Sequence, residues 1–390
     1  MEGSGPPFRA IRRSKDQGGL LTCASQPARL APILTLLSLL LISCGVGSIR
    51  CSSSTTTIHD NSTDMMSLLD FKRAITNDSS QALRSWHVGV PLCGWKGVVC
   101  SGPKHPGGVM GLNLRNLSLS GTISPSLGNL TFLRRLDLFS NGFTGEIPPL
   151  SRLQRLEYLD LGYNSLRGII PDNLTNCSNL RDLSLSRNLL IGEVPSGIGR
   201  LSNLVSLQLG GNNLTGEIPP SLKNSSQLEN IWLADNKLAG TIPDELGKLP
   251  NLSDLDLDAN QLSGGIPETL YKYNRSSLQY LTLGSNMLGK TLPSNFGDTP
   301  LNLEALELED NNFEGHLPAS LGNISGLFLL DMSFNNFVGQ VPSSFGNFGT
   351  LDYLNLRQNN LSGFIPIELG GLKLLNHLDM SDNSLQSGVP

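Results

Sequence analysis

From Val109 to Pro390 the chain repeats itself about every 24 residues, each copy following L-x-x-L-x-L-x-x-N-x-L-x-G-x-I-P. An Asn closes the leucine part of successive copies, at Asn141, Asn164, Asn188, Asn212, Asn236, Asn260, Asn286, Asn311, Asn335, Asn359 and Asn383. An earlier, degenerate copy carries Leu117 in that place, which makes twelve. A unit this short cannot bury its apolar side alone, so the copies must stack into a solenoid. This period overrides the length of 390, which alone suggests two or three globular domains. A solenoid displays surface and encloses no catalytic pocket.

The third copy shows what each position does. Leu156, Leu159 and Leu161 alternate with Glu157, Tyr158 and Asp160, the pattern of a short strand with apolar residues inward. Stacking such strands in parallel buries a continuous core, each Leu contributing roughly 1.5–3 kcal/mol against exposure. Asn164 follows and turns inward, which requires its amide to bond backbone groups. The Asn column is therefore predicted to form a ladder. Gly168 permits an unusual backbone angle or close packing, and Pro171 ends the extended stretch. All of these are framework, so function must sit in the variable positions between them.

The first 47 residues read as a secretory signal. Arg9, Arg12, Arg13, Lys15 and Arg29 form a basic leader, Leu30 to Ser43 an apolar core, and Gly45 to Ser48 a cleavage site. A retained signal anchor is the competing reading; Pro32 and the short apolar run favour cleavage. A Ser/Thr-rich leader follows over 48–63. The formal charge is −5, and −8 without residues 1–47, which argues against nucleic acid as a partner. Sequons at Asn61, Asn77, Asn116, Asn129, Asn173, Asn176, Asn213, Asn224, Asn251, Asn274, Asn323 and Asn360 fit an extracellular setting. Of six Cys, Cys23 and Cys44 leave with the signal, and Cys51 lies in the leader. Cys93 and Cys100 flank G-W-K-G-V-V and are expected to form a disulfide. Cys177 sits at a framework Leu position and is expected to be buried.

Residues 64–100 differ in kind from the repeats over 109–390. Asp64 is predicted to cap a helix from Met65 to Ile75, and Trp86 and Trp95 lie near the Cys pair. The segment LLDFKRAI…LRSW…LCGWKGVVC resembles the N-terminal cap of plant leucine-rich-repeat receptor kinases, and L-x-G-x-I-P is the plant-specific repeat ending. Within that family the chain looks most like the immune branch that perceives bacterial peptides. The resemblance implies an α/β solenoid: a right-handed superhelix with a parallel concave sheet and a helical N-terminal cap. It also implies a membrane span and a cytoplasmic Ser/Thr kinase. The chain stops at Pro390, inside its twelfth repeat, without a second Cys pair or kinase motif, so kinase activity is not carried over.

A ligand surface is expected on the outward strand positions. Only Asn116, in the first copy, places a sequon there. Arg134, Arg135, Arg181 and Arg187 suggest a basic end. Asp254, Asp256, Asp258, Glu304, Glu307, Glu309 and Asp310 suggest an acidic middle whose repulsion a basic peptide would relieve. Phe139, Tyr158, Tyr163, Trp232, Tyr280, Phe334 and Tyr353 are expected to face out, with Trp232 and Tyr280 as anchors. The five His residues are scattered, and no nucleophile–base, phosphate-loop or metal motif occurs, so neither catalysis nor a cofactor is expected. Three functions remain open: a receptor ectodomain with a peptide or protein ligand and a similar co-receptor; a secreted inhibitor of a microbial wall-degrading enzyme; and a soluble decoy or inactive truncated product.

Overall fold

The computed structural model describes residues 61–101, 108–272, 277–299 and 301–386. The signal and leader readings, Cys23, Cys44, Cys51 and the Asn274 sequon lie outside them.

Every repeat contributes a short strand to one 13-stranded sheet. Its first pair, Val98–Cys100 with Val109–Asn113, is antiparallel. The repeat strands that follow are parallel and in register, so that Leu207, Ile231, Leu255 and Leu281 stand side by side. Their side chains are fully buried with the flanking framework leucines. The x-L-x-G stretch forms a second set of strands on the flank, in sheets of six and seven.

The side opposite the major sheet carries short 3-10 turns, because a proline opens or shortly precedes each. Leu222 N–H donates to Pro219 O, and Ser225 N–H to Leu222 O, closing the turn Pro220–Asn224. Pro presets the backbone angle, and five residues is about as far as this tight helix runs.

The Asn ladder is present. Asn236 Nδ2 donates to Leu233 O, Ala234 O and Leu209 O at 3.0, 3.2 and 3.1 Å, and Oδ1 accepts from Leu214 N–H at 3.0 Å. One side chain thus satisfies backbone groups of two repeats. Gly168, at φ +78°, uses the left-handed freedom expected of it.

The cap differs from its prediction in one respect. The helix runs Asn61–Arg73, so Asp64 lies inside its first turn, and Ile75 begins a strand. Asp64 is buried and accepts from Val109 N–H at 2.8 Å, tying the cap to the first repeat strand. Leu68 and Phe71 face the core, and Phe71 meets Phe143 with ring centroids 5.7 Å apart. Trp86 and Trp95 stack at 5.4 Å, each indole N–H bonded to a backbone carbonyl. Cys93 and Cys100 form the expected disulfide. Cys177 is free and buried, and burial pushes its thiol up to about 11.

Candidate ligand-binding surface

The outward positions of the major sheet form three columns running across the repeats. The middle column reads Asp137, Asp160, Ser184, Gln208, Trp232, Asp256, Thr282, Glu307, Asp331 and Asn355, held level by the strand register. Outward does not mean exposed. Asp254, Asp258 and Glu307 are only 7, 6 and 3% accessible, which corrects their expected place on an open face. Neighbouring strands stand so close that adjacent outward side chains cover one another.

The expected basic end is also corrected, because its arginines are largely engaged. Arg134 pairs with Glu157. Arg135 bonds Asp137 at 3.1 Å and lies 3.5 Å above the Tyr158 ring. Arg115, which the sequence reading passed over, bonds Asp160 at 3.2 Å, approaches Asp137 at 3.7 Å and covers Phe139. Phe139 packs on Tyr163 at 4.9 Å, and Arg187 closes this ladder of rings and guanidinium groups from the other side. Arg181 is exposed and partly offsets the upward shift that burial imposes on Asp182. Burial likewise raises Asp160, with Asp137 adding to the shift. Burial is also the main cause raising Tyr158, whose hydroxyl donates to Asp160 at 3.2 Å. The region is a mixed-charge network. Arg115 could have been found by aligning the degenerate first copy with the others.

Farther along, positive charge disappears. Outward strand positions between Arg187 and Arg357 carry no Lys or Arg, yet include Glu229, Asp235, Asp254, Asp256, Asp258, Glu304, Glu307, Glu309, Asp310 and Asp331. Thr282 donates to Asp256 at 2.8 Å, and Tyr280 donates to Glu304. Gly284 leaves room for two carboxylates to converge: a β-carbon there would lie 2.4 Å from Glu309 Oε1 and 2.7 Å from Asp258 Oδ1. Trp232 stands between Gln208 and Asp256 in the register. It is half-buried rather than exposed, and its Nε1 is buried without a hydrogen-bond partner. Tyr280 is half-buried, Phe334 is exposed and Tyr353 is buried. Asp331 is raised by burial although Ser333 and Asn355 donate to it.

Apart from Asn116, the sequons of the repeats lie away from this floor. Asn129, Asn173, Asn176, Asn224 and Asn323 belong to the 3-10 turns, while Asn213 and Asn360 begin flank strands. Asn77 belongs to the cap strand Ile75–Asn77, Asn251 is exposed just before its repeat strand, and Asn116 follows the first repeat strand.

Comparison with known proteins agrees with this architecture. A model described as the leucine rich repeat N-terminal domain matches residues 61–101. Leucine rich repeat models match 148–190, 195–262 and 341–385, and 132–152, 302–324 and 326–348. The chain is 44% identical over 99 residues to the LRR receptor-like serine/threonine-protein kinase EFR of Arabidopsis thaliana, covering 25% of this chain and 9% of that protein. It is similar to a plant peptide hormone receptor, RGFR1, solved in complex with RGF2: TM-score 0.62, 33% identity, 68% of this chain and 46% of that one. It is also similar to a plant ice-binding protein: TM-score 0.65, 26% identity, 84% of this chain and 96% of that one. The chain therefore spans only a small part of the receptor kinase it matches, and the repeat architecture serves more than one activity. It belongs to the leucine-rich-repeat family and has plant receptor kinases among its relatives.

Proposed function

We propose that this chain is the extracellular recognition part of a plant receptor of the leucine-rich-repeat kinase type, and that it binds an extended basic peptide along its major sheet. In this reading residues 1–47 are a secretory signal, 48–63 a leader, 64–100 the cap and 109–390 the repeats. The single observation that carries it is the run of outward carboxylates without one Lys or Arg between Arg187 and Arg357. Converging, partly buried carboxylates repel one another and lose solvation, and an Arg or Lys side chain relieves both costs. Trp232 offers a large surface beside Asp256 for an apolar anchor. Similarity to RGFR1, a plant peptide hormone receptor, supports a peptide as the ligand class. A co-receptor of similar repeat type follows from the family resemblance.

The test is calorimetric titration with an arrayed set of short extended peptides carrying Arg or Lys at alternate positions. A binder should lose about tenfold or more in affinity to Trp232→Ala and to Asp256→Lys, about 1.4 kcal/mol each. Unchanged affinity in both variants rejects this placement.

A further inference from the structure

We propose that Asn213 carries an N-linked glycan whose innermost sugars cover an aliphatic patch on the flank of the third and fourth repeats. This rests on the secretory reading given above.

The patch is a local departure from the repeat pattern. On the flank strands Ser165–Gly168, Leu189–Glu193 and Asn213–Thr215, the inward residues Leu166, Leu190 and Leu214 are fully buried. The outward face carries Ile169, Leu189 and Ile191, which are 61, 47 and 51% accessible. The three are contiguous. Leu189 and Ile191 are two residues apart on one strand, hence on one face. Ile169 lies across the next residue, its Cγ2 only 2.9 Å from where a β-carbon of Gly192 would stand. The neighbouring repeats place polar residues here: Thr215 matches Ile191, Asn213 matches Leu189, and Glu146 and Glu193 match Ile169; farther along, Met287, Val338 and Phe364 stand singly at the Leu189, Ile191 and Ile169 positions.

The neighbouring strand supplies the cover. Ile191 is the register partner of Asn213. In the sequon Asn213-Leu214-Thr215, Leu214 points inward, so Asn213 and Thr215 share the outward face with the patch. The first sugars of an N-glycan present C–H faces as well as hydroxyls, and attachment one strand away holds them over Ile191 at high effective concentration. A glycan rather than a protein partner is favoured by this covalent proximity. Attachment joins Asn213 Nδ2 to the anomeric carbon of an oligosaccharide carried on a polyprenyl diphosphate. The carbon–oxygen bond to diphosphate breaks, the amide gives up one proton, and the lipid diphosphate leaves. The catalyst is the membrane oligosaccharyl transferase of the secretory lumen.

The experiment is glycopeptide mass spectrometry on the full chain secreted from plant cells, with dye binding to exposed apolar surface as the second readout. Asn251 and Asn323, both exposed, report passage through the lumen. Modification of these and of Asn213 is the expected result. Modification of these with Asn213 bare overturns the proposal and leaves the patch to a protein partner. All sites bare overturns the secretory reading itself. Asn213→Gln and Thr215→Ala should each raise dye binding about twofold, and adding Leu189→Thr and Ile191→Thr should return it to the starting level. Asn360→Gln removes the equivalent flank sequon, whose register partner is the half-buried Val338, and should change little. Thr215→Ala keeps the Asn213 side chain, so it stands if Asn213→Gln folds poorly. No rise in dye binding in either folded variant overturns the covering role.

Discussion

At the scale of single residues the repeat is held by a few side chains with fixed duties. Asn236→Ala removes four hydrogen bonds and leaves buried backbone groups unpaired, so about 2 kcal/mol of stability should be lost, read by thermal melting. An unchanged midpoint would sink the ladder as a source of stability. A second duty shows only in three dimensions. The side chain before the Ile-Pro pair lies over the glycine of the next repeat, as Glu217 does over Gly240, with its Cγ 3.0 Å from the position of an added β-carbon. At one step the pair is reversed. Gly265 is bare, and Lys290 takes the glycine's place at φ +71°, its Cδ 3.4 Å from where a Gly265 β-carbon would stand. Lys290→Gly should relieve about 1 kcal/mol of backbone strain and raise the melting midpoint. A lower midpoint would mean that the Lys stem's packing outweighs the strain.

At the scale of elements, most of the solenoid was legible because each repeat strand shows the same alternation and each turn the same proline. The cap was legible only in part. Its helix, tryptophans and disulfide follow from local pattern, but Asp64 lies 45 residues from the Val109 N–H it satisfies. A carboxylate in a helix's first turn reads locally as a cap, and only tertiary packing reassigns it. Replacing Cys93 and Cys100 together by Ser should cost the cap about 2 kcal/mol, a modest amount because the closed loop is short. Hydrogen exchange should quicken across residues 61–101 and stay unchanged in the central repeats. Uniform loosening along the chain would show that the cap and the stack unfold as one unit.

At the scale of the molecule, charge is arranged along the major sheet as a neutralised network followed by a field of carboxylates. Burial raises Asp331 above its ordinary value of 3.8, so the folded state holds that proton more tightly than the unfolded chain. The stability gained from protonation is present near pH 4 and lost as pH rises through the folded value. Asp331→Asn should therefore melt higher than the parent at pH 7, and the gap should close as pH falls toward 4. A gap independent of pH would contradict the buried-carboxylate account. Binding of a basic peptide should weaken steadily with added salt, and titrations at two ionic strengths check this.

The sequence by itself determined the solenoid, the Asn ladder, the cap disulfide and the side on which variable residues gather. These depend on patterns that recur within about one repeat, where strand alternation and turn chemistry are local. Tertiary structure decided which outward residues are reachable and which charges are already paired. Arg115 meets Asp160 across 45 positions, Glu307 is covered by its neighbours, and Ile191 comes to stand beside Asn213. Such outcomes depend on strand spacing and register between repeats, because adjacent strands lie close enough for outward side chains to shield and neutralise one another.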